Sequence, residues 1–446
     1  MKITFVLPGM GRKAGEGYLK TWLMEPLTIA VLSALIPKKY DREFFDDRIE
    51  HINYATDSDL VLITTETYTV KRAYAIAAKF RSLGKKVILG GYHTTLIPEE
   101  AEQYADTIMV GNAERIIEQV LLDAENGTLQ KRYNGCAQIG YKLPDRSIYA
   151  DKMKKYLPVS LVETGRGCYH NCEFCSIAGY YHSHYIHRDV ADIIAEIRTC
   201  PHKIFFFVDD SIFSDREFAK ELFIELKKLN IIWTTQITLD IAKDEEMLRL
   251  MKESGCGMVL IGFESINADN LKQMNKLWSQ RLGERDELIE KVHGAGISIY
   301  ASFVFGFDSD TEETFKSTLA FCQKHQFFVT AFNHLLIFPS TKTFESFQAD
   351  GRLNCEKWWL EDGYTFGTVT FTPKHMTPEE LRSYCKGYKN EFFRFGSIFK
   401  RGMTLLKRTR GFWINLAYWV INILFHFVVD RRVGIPIGEN LEDKTL

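Results

Sequence analysis

PVSLVETGRGCYHNCEFCS, residues 158–176, joins a short apolar run to three cysteines placed within eight positions. The run has the length and composition of a buried strand, and two glycines, Gly165 and Gly167, open the loop that follows it. Cys168, Cys172 and Cys175 are soft ligands, suited to zinc or to an iron–sulfur cluster. A closed structural zinc site wants a fourth ligand, and His170, His182, His184 and His187 stand close enough in sequence to be candidates. A cube of four irons held by three cysteines needs no fourth protein ligand and leaves one iron open to a small molecule. Spacing alone leaves both readings standing.

Downstream of the loop the strand-then-helix pattern repeats. HKIFFFVDDS (202–211), IIWTTQIT (231–238), GMVLIGFES (257–265), ISIYASFVFGF (297–307) and AFNHLLIF (331–338) read as strands. Helical patterns lie over 189–199, 215–229, 244–254, 281–295 and 311–325. Together with the strand before the cysteines this predicts six βα units, a partial (β/α)6 TIM-type barrel whose active groups gather at the carboxyl ends of the strands. The cysteine loop follows the first strand and falls at that end.

Upstream, the first 125 residues alternate likewise. KITFVLP (2–8), REFFDD (42–47), DLVLITTET (59–67), KKVILGG (85–91) and TIMVGNAE (107–114) read as strands, with helices over 26–36 and 70–84. Short runs of Val, Ile and Leu between helices predict a parallel sheet buried on both faces, hence an α/β, doubly wound Rossmann-like domain that takes ligands at its carboxyl edge. Residues 126–156 are polar, carry the turn signals NG and PD, and predict a linker with a short hairpin. The expected organisation is a domain over 1–125, a linker over 126–156, the barrel over 157–345 and a mostly helical extension over 346–446.

At 446 residues the chain exceeds one ordinary core, and its net charge of −2 gives no reason to expect nucleic acid. The N-terminal strand lacks the apolar run and cleavage site of a signal peptide, which predicts a cytoplasmic location. There, nine scattered and clustered cysteines suit metal binding better than disulfides. The apolar stretch GFWINLAYWVINILFHFVV (411–429) is flanked by Lys407, Arg408 and Arg410 on one side and Arg431 and Arg432 on the other. Asn415, Asn422 and His426 fall on one helical stripe of it. It reads either as an in-plane helix making peripheral contact with the inner face of a membrane, or as a helix closing the core.

Cys-x₃-Cys-x₂-Cys after the first strand of a βα repeat, with Phe174 before the last cysteine and the two glycines before the first, resembles the radical S-adenosylmethionine (SAM) superfamily. The resemblance implies a [4Fe–4S] cluster on Cys168, Cys172 and Cys175 whose open iron chelates SAM. It also implies an electron donor such as flavodoxin or ferredoxin, and a 5′-deoxyadenosyl radical that takes hydrogen from substrate. It places Asp209 and Asp210 of FFFVDDS by the SAM amino group. Glu264 and Ser265 of GFES fall by its ribose and carboxylate, and Gly306 and Asp308 of FVFGFDSDTEE by adenine. Taken by themselves, Asp209 and Asp210 can equally cap the next helix, and the last segment can equally be a turn. Ser340, in HLLIFPST, replaces a glycine of related proteins. Gln236 and Asn333, at strand ends, are candidates to face the barrel.

An α/β domain ahead of such a core resembles the cobalamin-binding class of that superfamily, both the anaerobic Mg-protoporphyrin ester cyclase-like and the class B methyltransferase-like members. EPLTIAVLSAL, DDRIEHI, KKVILGGYHTTLIPEEA and YADTIMVGNAE carry the likeness, with Asn112 where glutamate is commoner. It implies cobalamin, with Thr64, Thr65, Glu66 and Thr67 on the corrin side and Gly90 and Gly91 allowing close backbone approach. No Asp-x-His-x-x-Gly motif supplies a lower cobalt ligand, and His51 and His93 read as turn residues, so cobalamin is expected base-off or without a protein histidine. The implied activity is methylation of an unactivated carbon of a hydrophobic small molecule. The alternatives are radical cyclisation or carbon–carbon coupling of a tetrapyrrole or lipid, a vestigial α/β domain used for contacts alone, and a non-catalytic iron–sulfur redox-sensing module.

Overall fold

Runs such as LVLIT and KVILG are apolar along their length, so they are stable only where both faces are covered. The computed structural model describes residues 1–19, 23–136, 142–280, 284–408, 411–428 and 430–442. In it these runs form a parallel sheet of β1 (Lys2–Leu7), β2 (Asp41–Asp46), β3 (Leu60–Thr64), β4 (Lys86–Gly90), β5 (Thr107–Val110) and β6 (Arg132–Asn134). The order is β2-β1-β3-β4-β5-β6. Alternate side chains divide between the faces: Leu60 and Leu62 join Ile29 and Ala30 of the helix Leu27–Leu35, whereas Val61 and Ile63 meet Val70, Ala73 and Ala77 of the helix Val70–Ser82. Helices therefore cover both faces. The order reverses between β1 and β3, which leaves a crevice at the carboxyl ends of those strands.

The interval 126–156 departs from its expected form. It contributes no hairpin among the described residues; instead β6 pairs in parallel with β5, Met109 opposite Tyr133. The 3-10 segment Arg146–Lys155 then lays Tyr149 into the same core as Ile29 and Leu62. A strand of three residues is too short to display a period, so the polar composition masked it. Residues 137–141 of this interval lie outside the described residues.

The second sheet begins with β7 (Ser160–Val162). The cysteine region adds a small antiparallel ribbon of β8 (Gly165–Gly167) and β9 (Tyr185–His187). The sheet continues with β10 (Ile204–Phe207), β11 (Ile232–Ile237), β12 (Cys256–Glu264), β13 (Ser298–Phe305) and β14 (Val329–His334), in the order β14-β13-β12-β11-β10-β7, every pair parallel. The helices Val190–Thr199, Arg216–Leu226, Glu245–Glu253, Arg285–Gly294 and Glu312–His325 follow successive strands where the pattern placed them; residues 281–283 lie outside the described ones. Phe205, Phe207, Trp233, Ile261 and Phe303 pack under these helices. The opposite face carries Phe206, Gln236, Leu260, Tyr300, Ser302 and Asn333, and Gln236 and Asn333 stand exposed on it.

The extension after residue 345 is mostly helical but belongs to both sheets. Trp358, Trp359 and Tyr364 complete the apolar core on one face of the first sheet, while Leu381, Cys385 and Phe392 join the core of the second. The chain end returns to the start, where the Gly438 N–H donates to Met10 O at 2.7 Å. One buried polar knot fastens the extension. The Glu100 carboxylate accepts from Trp359 Nε1 (3.0 Å), the Tyr74 hydroxyl (3.1 Å) and Lys357 Nζ (3.1 Å), and it faces His93 Nε2 at 3.2 Å. His93 is fully buried and so is a pivot of this knot, not the turn residue its sequence position suggested.

Burial opposes ionisation of Glu100, but the hydrogen bonds from His93, Lys357 and Trp359 outweigh it and hold the carboxyl down at about 2, from an ordinary 4.5. Stability from this group is therefore complete above pH 4.5 and is lost as pH falls through about 2. The shift corresponds to roughly 3 kcal/mol. The urea midpoint is expected to fall more steeply across that acid window for the native chain than for Glu100→Gln, which also loses about 2–3 kcal/mol at neutral pH. Parallel curves for the two proteins would remove the linkage.

Candidate active site

The loop after β7 is held from beneath by the end of β10. Asp209 accepts from the Thr164 and Gly165 N–H groups at 2.7 and 2.6 Å and from the Thr164 hydroxyl at 2.8 Å. Asp210 accepts from the Gly167 N–H at 2.9 Å. Burial pushes the carboxyls up, Asp209 to about 7 and Asp210 to about 6, against the pull of these donors. The two carboxylates thus brace the backbone on which Cys168 follows. Neither caps the next helix, a task taken by Asp215, which accepts from the Phe218 N–H.

Cys168, Cys172 and Cys175 are half-buried and free of disulfides, and Cys175 opens the short helix Ser176–Tyr181. Burial raises all three thiols, Cys172 to about 12, so thiolates there require a compensating cation. Part of that charge is fixed in the fold. Lys276 is buried with its ammonium 2.9 Å from Glu264 Oε1 and 2.8 Å from Gly262 O. Burial works against its charge, but Glu264 and Cys172 hold it above an ordinary lysine. Glu264 reaches this position from a left-handed backbone, φ +60°, at an irregularity in the pairing of β12 with β13. Ser265 instead serves its own turn, accepting from the Asn267 N–H.

Among the described residues no three His, Cys, Asp or Glu side chains converge on one point as a single bound ion requires. His170 lies stacked on Trp278, ring centroids 3.7 Å apart, and burial followed by the nearby Lys276 lowers it to about 4. His187 stacks on Phe218. The donor set is three soft thiols near the Lys276–Glu264 ion pair, and soft thiolates suit an iron–sulfur cluster.

Gly306 and Asp308 face the extension. Gly306 has φ +111°, and a Cβ there would come within 2.6 Å of Phe371 and 2.9 Å of Leu381. Asp308 pairs with Arg352 at 2.6 Å and Lys374 at 2.7 Å, and these contacts outweigh its burial to lower the carboxyl. Asp310, which the motif did not single out, ties the turn by accepting from the Gly306 and Phe307 N–H groups. Ser340 adopts φ +58°, a left-handed geometry that favours glycine, and its hydroxyl donates to Leu96 O at 2.7 Å.

A cavity of about 490 Å³ lies between the two sheets. Thr64, Thr65, Glu66, Gly90 and Gly91 line it from the carboxyl ends of β3 and β4. Glu163, Arg166, Tyr180 and Tyr181, which flank the cysteines in sequence, line the other wall. Glu66 projects into the open space yet is ringed by protein, so burial raises its carboxyl, moderated by Arg48. Thr67 is not in the lining; it is buried with its hydroxyl 3.3 Å from His93 Nδ1. Gly91 has φ +106°, and the Thr65 backbone lies 2.9 Å from where a Cβ would stand. At Gly90 a Cβ would meet only Met109, at 3.7 Å.

Among the contacts that join the walls are two that the sequence pattern did not single out. Arg166 reaches from β8 to Glu114 of the first domain at 2.6 Å while also binding Glu163 at 2.8 Å. Tyr92, from the turn after β4, stacks on Tyr180, just past Cys175, with centroids 4.8 Å apart. Their importance lies wholly in what the fold brings opposite them, and no local signal announces that.

Known proteins resemble this chain in sequence and in fold. Residues 162–322 match the model of the Radical SAM superfamily. The bacteriochlorophyllide d C-12(1)-methyltransferase of Chlorobaculum tepidum is 28% identical over 414 residues, covering 90% of this chain and 88% of its own. The anaerobic magnesium-protoporphyrin IX monomethyl ester cyclase of Cereibacter sphaeroides is 24% identical, covering 89% of this chain and 70% of its own. A solved structure of the cobalamin-dependent S-adenosylmethionine radical enzyme OxsB, with aqua-cobalamin and S-adenosylmethionine bound, superposes with a TM-score of 0.67. It does so at 13% identity over 96% of this chain and 72% of its own, so the likeness is one of fold.

Proposed function

We propose that this radical SAM enzyme binds a [4Fe–4S] cluster on Cys168, Cys172 and Cys175, SAM beside it and cobalamin in the cavity between the sheets, and methylates an unactivated carbon of a hydrophobic small molecule. The observation that carries the reading is the shared cavity. The ligand edge of the first sheet and the segments flanking the cysteines form opposite walls of one space. Its volume is in the range of small-molecule sites. Methylation of a carbon with no acidic proton needs a hydrogen-abstracting group and a methyl donor to reach the same atom, and only a common chamber arranges that. When bound, the cluster with SAM supplies the radical and cobalamin supplies the methyl group.

The chain's own residues do the holding. Gly90 would let cobalamin approach the backbone of β4, and Thr64 and Glu66, which line the same cavity, would offer it polar atoms. No histidine is found among the cavity-lining residues described, and His93 is engaged with Glu100 and Thr67. Arg166 and the Tyr92–Tyr180 stack fix the distance between the walls. The face of the second sheet that carries the exposed Gln236 and Asn333, read as the interior of a partial (β/α)6 barrel, offers Gln236, Tyr300, Ser302 and Asn333 to a substrate. The methyltransferase relative acts, by its name, on a bacteriochlorophyllide, which makes a tetrapyrrole the first substrate class to try.

Anaerobic reconstitution with iron and sulfide, followed by reductant, SAM, cobalamin and a panel of tetrapyrroles, tests this. Methylation yields both S-adenosylhomocysteine and 5′-deoxyadenosine. The cyclase relative favours a second reading, in which 5′-deoxyadenosine accumulates without S-adenosylhomocysteine. A loaded cluster that gives neither product overturns both. Gly90→Phe should lower cobalamin retention by more than about 100-fold through steric exclusion while leaving iron content unchanged; undiminished retention would move cobalamin out of this cavity.

A further inference from the structure

The helices Phe395–Arg408 and Phe412–Val428 pack apolar side chains such as Ile398, Leu405, Ile414 and Ile421 against the core together with a few polar groups, yet carry a second apolar stripe outward. Asn422 is fully buried and donates to Phe328 O at 3.1 Å, the Tyr418 hydroxyl donates to Ile398 O at 2.7 Å, and His426 faces Phe393 O at 2.9 Å. The stripe Asn415, Asn422 and His426 thus marks the docked side. Arg401, also buried, donates to Phe327 O, Phe328 O and Asn422 Oδ1. These partners sit where β13 and β14 begin, and Ile414 lies near Gly257 at the start of β12. The pair therefore closes the amino-terminal end of the second sheet, opposite the cysteine loop.

On the outward side, Phe395, Phe399, Phe412, Trp413 and Phe427 are 55–68% exposed. Eleven of the eighteen exposed large apolar side chains among the described residues belong to these two helices, and scattered exposure does not produce such a concentration. Phe395 and Phe427 approach within 6.2 Å, which joins the two stripes into one face. Its charge is one-sided: from Phe395 to Val428 the sequence holds no Asp or Glu, and of its basic residues Arg401 turns inward and Arg408 pairs with Glu290. Lys400 and Lys407 stand exposed. No described helix is long and apolar enough to cross a membrane.

We infer that this face docks in the plane of an anionic lipid bilayer, its aromatic side chains entering the boundary of headgroups and acyl chains and its lysines meeting the headgroups. A second copy of the chain is the less favourable occupant. A self-complementary pairing presses two faces of the same positive sign together, whereas an anionic surface neutralises them. Attachment at the end of the sheet remote from the cysteines leaves the cavity accessible and separates docking from chemistry.

The test is flotation of the full chain with vesicles of phosphatidylcholine alone and of phosphatidylcholine mixed with phosphatidylglycerol. The native protein is expected to float with the mixed vesicles and much less with the neutral ones. Combining Phe399→Glu, Trp413→Glu and Phe427→Glu should lower the bound fraction by more than about tenfold. Lys400→Glu with Lys407→Glu should remove the preference for phosphatidylglycerol. Because all five positions are exposed, both variants keep native SAM cleavage, which shows that they fold. Equal flotation of the native and triple-variant proteins overturns the inference. So does a native dimer that ignores vesicles and becomes a monomer in the triple variant by light scattering, which would assign the face to a second copy.

Discussion

Cys168→Ala, Cys172→Ala and Cys175→Ala are each expected to leave the anaerobically reconstituted protein without its cluster, with iron at background and 5′-deoxyadenosine undetectable. The effect is all-or-none because three is the minimum: the loop holds no spare thiol, and His170 is stacked against Trp278. Burial raises these thiols, so each iron–sulfur bond must displace a tightly held proton, and two bonds do not compensate for the lost third. Cys256 supplies the control. It is buried within β12, with its thiol directed to Met258 O, and Cys256→Ala should keep full iron at the cost of about 1 kcal/mol of packing. Iron content and the visible absorbance of the cluster decide the matter. Loss of the cluster in Cys256→Ala, or its retention in Cys172→Ala, would falsify the ligand assignment.

Asp209→Ala is expected to be nearly as damaging without touching a ligand. Truncation strands three donors, the N–H groups of Thr164 and Gly165 and the Thr164 hydroxyl, in a region where Thr164 is fully buried. Leaving buried donors unpaired costs on the order of 1–3 kcal/mol each, so about 4 kcal/mol is expected in a urea melt, with the loop loosened ahead of Cys168. Asp209→Asn discriminates a brace from a SAM-contacting group. Both N–H groups reach the same oxygen, Oδ1, which an amide carbonyl replaces, and the amide NH₂ can donate to the Thr164 hydroxyl. Stability and iron content should then return to within about 1 kcal/mol and a few per cent of native. If Asp209→Asn loads iron normally but loses SAM affinity, the carboxylate contacts the substrate after all.

Much of the architecture was legible beforehand because parallel strands buried on both faces write themselves as continuous apolar runs, and helices between them as interrupted ones. Five strands of the first sheet and all six of the second fall where those runs lie. β6 did not, since three residues at a sheet edge need no apolar run of their own. The SAM-side candidates show a different limit. Asp209, Asp210, Gly306 and Asp308 all sit at carboxyl ends of strands, as position predicted, yet the first two brace a backbone and the last two meet Phe371, Arg352 and Lys374 of the extension. Position along a strand is local, whereas the partner of a carboxylate is not.

The tail makes the same point. Composition identified an apolar helix and a polar stripe along it, but a stripe points either to water or to protein with equal periodicity. Only the carbonyls of Phe327 and Phe328, presented where β13 and β14 begin, decide that Asn422 and Arg401 face inward. The sequence by itself determined the three-thiol loop, its place after the first strand of a repeat and the α/β domain before it, because each rests on spacing and on the period of burial. Tertiary structure alone decided that the two sheets share one cavity, that Arg166 and Tyr92 reach across it, and which side of the last helix meets solvent. Those facts depend on surfaces brought together from residues tens to hundreds of positions apart, where hydrogen-bond geometry and packing, not local pattern, select the neighbour.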